Sequence, residues 1–254
     1  MSKIAHGFFS FTEITDPAEH RSYNEWHQLD HLPEQLTLDG IGWGERWVRS
    51  PACRAAGTAS GPLDATDYVT LYLLSGPLDR TLAEFAELAV ELRRAERFHQ
   101  HRRAVVSGAF DVRAVAAAPR ALVSAEAVPY RPNLGVHVRV DEVADPSAMG
   151  AHLAWLATEH VADLVTVPGV VGAWSFRQHT TGTDPGAITD HRVVTVAWLD
   201  ADPLEVTTSI AALPPPPPGS TTVLAGPFEP IRPGEWSWFD GAATSTGSAR
   251  EEAP

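Results

Sequence analysis

The chain carries one pattern twice, and this repeat restricts the possible folds more than any other feature of the sequence. The stretch YNEWHQLDHLPEQLTLDGI aligns with a second stretch 129 residues later, so that Trp26 falls on Trp155 and His31 on His160. Further along the offset shrinks, and SGAFDVR (107–113) aligns with AGPFEPIR (225–232) at an offset of 118. Similar blocks in the same order indicate a tandem duplication.

Each copy has the element order strand, helix, strand, strand, helix, strand. In the first copy the apolar periodicity predicts strands at 4–14, 42–49, 67–75 and 104–115, with helices from residue 17 and at 78–98. In the second copy it predicts strands near 134–143, 171–179, 191–199 and 221–232, with helices near 146–167 and 203–212. This order is typical of the ferredoxin-like βαββαβ module, an α+β fold in which helices cover one face of an antiparallel sheet.

The uncovered face of each sheet needs a partner, and a duplicated chain supplies one. We expect two tandem modules packed sheet to sheet, with helices outside, as an intrachain pseudo-dimeric α+β barrel. The predicted division is a first module at 1–115, a linker at 116–133, a second module at 134–240 and a disordered tail at 241–254.

The repeated helix resembles the one that precedes the second strand in the dimeric α+β barrel superfamily, in particular its EthD-like branch. The matching residues of the first copy are Trp26, Asp30, His31, Pro33 and Gly40. The second copy keeps Trp155, Glu159, His160 and Gly169, but has Ala162 in place of the proline. The superfamily includes polyketide cyclases, muconolactone isomerases, cofactor-free monooxygenases, haem-dependent enzymes and proteins without known activity. The resemblance therefore implies a fold but no particular reaction.

Two histidines four residues apart, His27 and His31, lie on the predicted first-copy helix. On a simple helical wheel the leucines of this segment form an apolar stripe and the histidines face solvent. The corresponding row of the second copy is mostly apolar: Leu153, Leu156, His160 and Leu164. A polar row at a position that is apolar in the other copy predicts a ligand pocket, with His27 and His31 as catalytic acid and base on a carbonyl compound. The alternatives are surface histidines beside Asp30 and Glu34, and buried histidines that are only hydrogen-bonded.

A second polar row lies on the first strand of the second copy, where His137, Arg139 and Asp141 alternate with valines. We expect the valines to pack under the helices and the polar row to face the other sheet, inside the barrel. In that place Arg139 would bind a carboxylate or enolate and His137 would contact the substrate as a base. The alternative is an interior salt bridge between Arg139 and an acidic neighbour that ties the two sheets together.

Three further residues complete the predicted substrate-binding set. Trp47 and Tyr72 lie on predicted strands and would suit the walls of a pocket for a flat aromatic ligand, although core packing is the alternative. His160 is included as the second-copy counterpart of His31.

No metal and no cofactor are predicted. His27 and His31 have the i, i+4 spacing of a metal-binding pair, but no third ligand is apparent in the sequence. The chain has no Walker-type loop, no GxGxxG after a strand, no GxSxG and no CxxC. The GxxDG-type haem motif is also missing, although His31 or His160 could serve as an axial ligand. Cys53 is predicted to be a free structural thiol.

Charge and hydropathy exclude two classes of partner. The 32 acidic and 19 basic residues give a net charge of -13, which disfavours nucleic-acid binding, and the arginine cluster at 93–103 is predicted to be a solvated face. No segment approaches 18 consecutive apolar residues, which argues against a membrane span. One cysteine and an N-terminus without an apolar leader favour a cytoplasmic protein, as a monomer or a homodimer of the duplicated chain.

The leading functional hypothesis is a cofactor-independent enzyme acting on a small apolar, aromatic or polyketide-like carbonyl compound. Its reaction would be a proton transfer that leads to cyclisation, isomerisation or dehydration. The first alternative is a monooxygenase, either cofactor-free or haem-assisted. The second is a non-catalytic protein that binds a small ligand or assists a partner enzyme.

Overall fold

The structure is a computed structural model that describes residues 4–179 and 191–240. The first half contains β1 (His6–Ile14), α1 (His20–Trp26), a π-helical turn (His27–His31), α2 (Leu32–Leu36), β2 (Ile41–Val48), α3 (Pro51–Ala56), β3 (Thr58–Ala59), β4 (Tyr68–Leu74), α4 (Leu78–Arg94) and β5 (Arg102–Ala117). The second half contains β6 (Gly135–Val143), α5 (Met149–Trp155), a second π-helical turn (Leu156–His160), α6 (Val161–Leu164), β7 (Val170–Gln178), β8 (Arg192–Leu199), α7 (Pro203–Ala211) and β9 (Ser220–Pro230). The predicted loop at 180–190 and tail at 241–254 lie outside the described residues.

All strands belong to one antiparallel sheet in the order β2-β4-β1-β5-β7-β8-β6-β9-β3. The two halves meet twice, at β5–β7 and at β2–β9, where Trp47 pairs with Pro230 and Val48 with Glu229. The second meeting closes the sheet into a barrel, so the predicted α+β pseudo-dimeric barrel is confirmed. The two sheets do not stack as separate layers, because hydrogen bonds at both junctions join them into one.

The barrel interior is filled by bulky apolar side chains from every long strand. Among them are Phe9, Phe11, Trp47, Leu71, Val138, Trp174, Phe176, Trp198 and Phe228. The valines of β6 point into this core, so His137, Arg139 and Asp141 point outward toward the helices. This is the opposite of the predicted orientation. Closing the barrel requires large apolar residues inside, and the β6 valines are part of that packing.

The segment between the two halves packs on the barrel. It forms two 3-10 turns, Pro119–Ala121 and Ala125–Tyr130. Val128 is fully buried against the barrel core, and the indole Nε1 of Trp174 donates to the carbonyl of Ala125 at 2.9 Å. The contacts fix this segment against the second half of the sheet.

The first helical segment of each half is built alike. Asp16 and Asp145 cap it by accepting from the backbone N–H of Ala18 at 3.0 Å and of Ser147 at 2.8 Å. A π-helical turn then interrupts each helix and shifts the phase of its side chains. Within the described residues, no helix is long and apolar enough to cross a bilayer.

Candidate active site

A cavity of about 360 Å³ lies in the first half between the helices and the outer face of the sheet. Its polar lining consists of Ser10, Thr12, Tyr23, His27, His31, Gln35, Thr70 and Tyr72. Its apolar wall is formed by Phe8, Leu82, Phe85, Ala86, Ala89 and Phe98. The remaining lining comes from Arg93, Arg102, Ala104 and Ser107. The size suits one small ligand with a polar side and an apolar side.

The π-helical turn turns both histidines toward this cavity. His27 and His31 are buried, whereas Leu29 is 65% exposed, so the helical wheel has the wrong phase for this segment. Asp30 and Glu34 point away and bind Arg97, at 2.8 and 2.6 Å. The interpretation of surface histidines beside acidic neighbours is therefore wrong.

Aromatic rings hold the two imidazoles in place. His31 stacks on Trp26 with ring centroids 4.5 Å apart and an interplanar angle of 22°. The rings of His27 and His31 meet edge to face at 5.0 Å, and Phe98 lies edge-on to His31 at 5.5 Å. The indole Nε1 of Trp26 donates to the carbonyl of Arg97 at 2.7 Å, which fixes the ring on which His31 rests.

Both imidazoles are neutral at physiological pH. Burial, followed by the charge of Arg102, lowers the pKa of His31 to about 3. Burial, followed by the charge of Arg46, lowers the pKa of His27 well below its ordinary value. A neutral imidazole has a free lone pair and can accept a proton from a bound molecule.

Several buried polar atoms around the cavity have no hydrogen-bond partner within the described part of the chain. They are His27 Nδ1, His31 Nδ1, Gln35 Oε1, Thr70 Oγ1 and the hydroxyls of Tyr23 and Tyr72. Each such group costs about 1–3 kcal/mol when it is left unpaired in a protein interior. Six of them around one cavity indicate a place that a polar ligand or water occupies.

A buried cation lies behind the histidines. Arg46 on β2 is 3% exposed, and its Nη2 donates to Asn24 Oδ1 at 2.8 Å. The guanidinium lies over Tyr23, 5.1 Å from the ring centroid. No carboxylate forms an ion pair with Arg46 among residues 4–179 and 191–240. An uncompensated positive charge favours an anionic oxygen in its vicinity.

Two arginines of the predicted solvated cluster line the same cavity. Arg93 and Arg102 lie over Phe98, at 4.7 and 5.2 Å from its ring centroid. Sequence reasoning missed both as site residues, together with Thr70, whereas Gln35 belonged to the polar row from which the pocket was predicted. One available signal was the position of Arg93 and Arg102 at the end of α4 and the start of β5, because α4 is the second helix of the first module and the ferredoxin-like order places both helices on the same face of the sheet.

The predicted site residues do not all come together. Tyr72 lines the first-half cavity with His27 and His31, but Trp47 lies in the barrel core and donates to Asn133 Oδ1 at 3.1 Å. His137 and Arg139 line a separate cavity of about 270 Å³ in the second half. These residues cannot share one pocket with His27 and His31.

The second-half polar row is largely satisfied by its own contacts. Arg139 Nε donates to both carboxylate oxygens of Asp141 at 2.9 Å, and its Nη2 donates to Thr222 Oγ1 at 2.8 Å. The predicted salt-bridge alternative is thus present, although it lies on the outer face and does not tie two sheets together. Burial, followed by the charge of Arg139, lowers the pKa of His137 to about 3.

His160 reproduces the packing of His31 in the second half. It stacks on Trp155 with ring centroids 4.6 Å apart and an interplanar angle of 20°. Burial lowers its pKa to about 4, and its Nδ1 has no partner among the described residues. Leu156 and Leu164, where the first half has His27 and Gln35, are fully buried. The charged neighbours of His160 are Arg139 and Asp141, which form an ion pair with each other.

Comparison with known proteins supports the fold. No protein-family model matches this sequence, and no curated protein is significantly similar to it. An anthrone oxidase-like protein of known structure superposes with a TM-score of 0.55 at 9% identity, covering 91% of this chain and 94% of that one. The fold is the dimeric α+β barrel.

Two other dimeric α+β barrel structures are similar over nearly the whole chain. A mutant chlorite dismutase from Candidatus Nitrospira defluvii in complex with cyanide has a TM-score of 0.51 at 14% identity, with 90% of this chain and 92% of that one covered. A monooxygenase-like protein from Lactobacillus acidophilus has a TM-score of 0.51 at 7% identity, with 89% and 96% covered. At such identities the likeness establishes the fold alone.

Proposed function

We propose that this chain is a small-molecule enzyme that moves a proton on a flat, largely apolar carbonyl or phenol compound bound in the first-half cavity. His31 and His27 are the acid and base, and no cofactor takes part. The products would be those of cyclisation, isomerisation or dehydration of an aromatic or polyketide-like molecule.

The observation that carries this proposal is the pair of neutral, unpartnered imidazoles in a cavity with one apolar wall. Two histidines held by Trp26 and Phe98 serve no evident packing purpose, because the second half fills the place of His27 with a leucine. Leu82 and Phe85 would contact the flat face of a ligand, while Gln35, Thr70 and Tyr72 would bind its oxygens.

The charges around the cavity suit an enolate or phenolate. The base takes a proton from a carbon next to the carbonyl, or from one conjugated with it as in an anthrone, and the electron pair of that C–H bond moves onto the carbonyl oxygen. Arg102 and Arg46, whose charges lower the pKa of His31, stabilise this oxygen anion. The anion in turn stabilises the imidazolium that has formed beside it. The proton then returns to another carbon or to oxygen, which completes the transfer.

The resemblance to EthD-like proteins, the cytoplasmic location and the monomeric or homodimeric state of the duplicated chain are part of the same proposal. The likeness to an anthrone oxidase-like protein suggests a tricyclic anthrone as the first probe. Its methylene group is acidic and its rings are flat, so it matches the apolar wall of the cavity.

Proton transfer can be measured separately from oxidation. In deuterated buffer under nitrogen, NMR would follow the exchange of the anthrone methylene protons in the presence of the chain. We expect acceleration by the native chain and a loss of about 100-fold or more in a His27→Ala, His31→Ala double variant. His160→Ala removes the second imidazole that stacks on a tryptophan and should retain the rate. Equal rates with and without His27 and His31 would disprove the assignment.

The second candidate is a monooxygenase. It is favoured by the same free imidazole nitrogens, because His31 Nδ1 could ligate a haem iron, and Arg93 and Arg102 could pair with haem carboxylates. Adding air to the anthrone assay distinguishes the monooxygenase from the proton-transfer enzyme. Oxygen uptake without a Soret band indicates cofactor-free oxygenation. A Soret band after incubation with haemin indicates haem binding. A chain that binds the probe but shows neither exchange nor oxygen uptake would be a non-catalytic binding protein.

A further inference from the structure

Three potential metal ligands converge at the junction where β5 of the first half pairs with β7 of the second. His6 Nδ1 lies 2.9 Å from Asp111 Oδ1, and His179 Nδ1 lies 2.8 Å from the same oxygen. One ligand atom from each residue lies within 4.8 Å of the other two. Within the described residues this is the one group of three such side chains that converges in this way.

The backbone of the sheet fixes the three residues. His6 on β1 is the register partner of Asp111 on β5. His179 directly follows β7, and its backbone N–H donates to the carbonyl of Ala109 at 2.9 Å. Ligands that are carried by paired strands need little reorganisation to bind an ion.

We propose that His6, Asp111 and His179 bind a divalent first-row transition cation of the Zn²⁺ type, with water in the remaining position. Two imidazoles and one carboxylate are a ligand set that such ions take, and the three side chains are only 21–30% exposed. At metal–ligand distances of about 2.0–2.2 Å, neighbouring ligand atoms are about 3–3.5 Å apart, so the two nitrogen–oxygen separations need to open by only a few tenths of an ångström. One ligand atom of each histidine already lies within 4.8 Å of the other.

Besides this small opening, binding requires a change of tautomer at each histidine. In the absence of metal, both Nδ1–H groups donate to the carboxylate oxygen of Asp111. With metal, the hydrogen is carried on Nε2 and the Nδ1 lone pair points to the ion. The carboxylate supplies the negative charge that stabilises the bound cation.

The opposite junction shows that strand pairing does not need two imidazoles. In the pseudo-symmetric place, where β9 meets β2, Glu229 corresponds to Asp111, Ser50 to His179 and Gly135 to His6. There Ser50 Oγ donates to Glu229 Oε1 at 2.7 Å. The Cys53 thiol also donates to that oxygen, at 3.5 Å. A hydroxyl and a thiol thus satisfy the carboxylate at that junction, whereas two imidazoles converge on one oxygen at the other.

One neighbouring charge weakens the proposed site. Arg177 is the register partner of Asp111 on β7, and its positive charge opposes the binding of a cation. We therefore expect micromolar rather than nanomolar affinity. Because the ligands come from both halves, the bound ion should also stabilise the closed barrel.

The test uses the full chain without a polyhistidine tag, after treatment with a chelator. Titration with Co²⁺ should produce visible d–d absorption bands that saturate at one equivalent, and Zn²⁺ should displace them. Calorimetry with Zn²⁺ should give the same stoichiometry, and the Tm should rise with Zn²⁺ concentration. A native chain without these bands and without calorimetric binding would overturn the proposal and leave the cluster as a hydrogen-bonded contact only.

Variants locate the ion. Asp111→Asn and His179→Gln should each weaken Co²⁺ binding by about 10-fold or more, while circular dichroism in the absence of metal reports whether they fold. The alternative binding site for the ion is the i, i+4 pair His27 and His31. Loss of the cobalt bands in the His27→Ala, His31→Ala variant, with retention in His179→Gln, would overturn the proposal. The readout is independent of catalytic activity, so its failure leaves the proposed function unaffected.

Discussion

His31 differs from a surface histidine because its charged form is strongly disfavoured. Removal from water is the largest cause, and the positive charge of Arg102 adds to it, so that the pKa falls to about 3. The imidazole thus remains a neutral acceptor throughout the physiological range. Proton acceptance becomes favourable only when a negative charge forms next to it, which couples the base to the substrate.

The pH dependence of the exchange reaction follows from this pKa. A base must be unprotonated, and a lowered pKa means that the active form is lost only when the pH falls toward about 3. We expect kcat/KM for anthrone exchange to stay level between pH 8 and 5. A decline with a midpoint near 6.5, the ordinary value for histidine, would contradict the burial of the base.

Arg102 should control the basicity of His31. Replacing Arg102 by Gln removes a positive charge that lowers this pKa, so the pKa should rise, while the rate of exchange should fall because the oxygen anion loses a cation. Arg93→Gln is the matched comparison, because Arg93 lines the same cavity but is not among the charges that shift His31. Imidazole NMR of both variants measures the pKa. A fall, or equal changes in both variants, would count against this assignment.

At the level of elements, the π-helical turns determine what each half can bind. Both halves place one at the same position and stack a histidine on a tryptophan there. The first half then directs Gln35 and His27 into a cavity, whereas the second packs leucines in those places. One scaffold therefore directs a second imidazole and an amide into a cavity in one half and packs leucines at the same two positions in the other.

Two leucines test the phase of these helices. Leu29 is exposed and Leu156 is fully buried, although a simple helical wheel would place Leu29 on the core side. We expect Leu29→Ala to change the free energy of unfolding by about 0.5 kcal/mol or less and Leu156→Ala to reduce it by about 2–5 kcal/mol. Urea denaturation of both variants provides the values. A large loss for Leu29→Ala would mean that the π-helical turn is misplaced.

Sequence reasoning could predict the fold, but only part of the site. The duplication and the strand order were sufficient for a pseudo-dimeric α+β barrel, and the comparison of the two copies indicated that His27 and His31 are buried. The sequence could not predict which side chains of β6 point into the barrel. Both Val138 and His137 are buried, and alternation alone does not say which of the two faces is inside. The cluster around Asp111 was missed because its members are distant in sequence and meet only where β5 of the first half pairs with β7 of the second.

For the whole molecule, the buried histidines imply sensitivity to acid. The pKa values of His31 and His137 are lowered to about 3, and those of His20 and His160 to about 4. Below pH 6.5 these imidazoles bind protons in the unfolded chain but not in the folded chain. Their contribution to stability is therefore fully present above that pH and declines as the pH falls toward the folded-state pKa values. Each group contributes a slope of up to about 1.4 kcal/mol per pH unit.

We therefore expect the free energy of unfolding to fall steeply between pH 6.5 and 4.5. Urea denaturation at a series of pH values measures this slope. His160→Gln removes one imidazole and should reduce the slope by the contribution of about one proton. A stability that does not change between pH 7 and 5 would show that these imidazoles are not buried in the folded chain.

In the proposed reaction the first half of the barrel, and not the second, binds and activates the substrate. The most direct measurement is NMR of the imidazole nitrogens of all 11 histidines, assigned with single variants, during titration with anthrone under nitrogen. We expect the signals of His27 and His31 to shift with the ligand while those of His137, His152 and His160 stay in place. Shifts confined to the second half, or none at His27 and His31 when the ligand is bound, would contradict it.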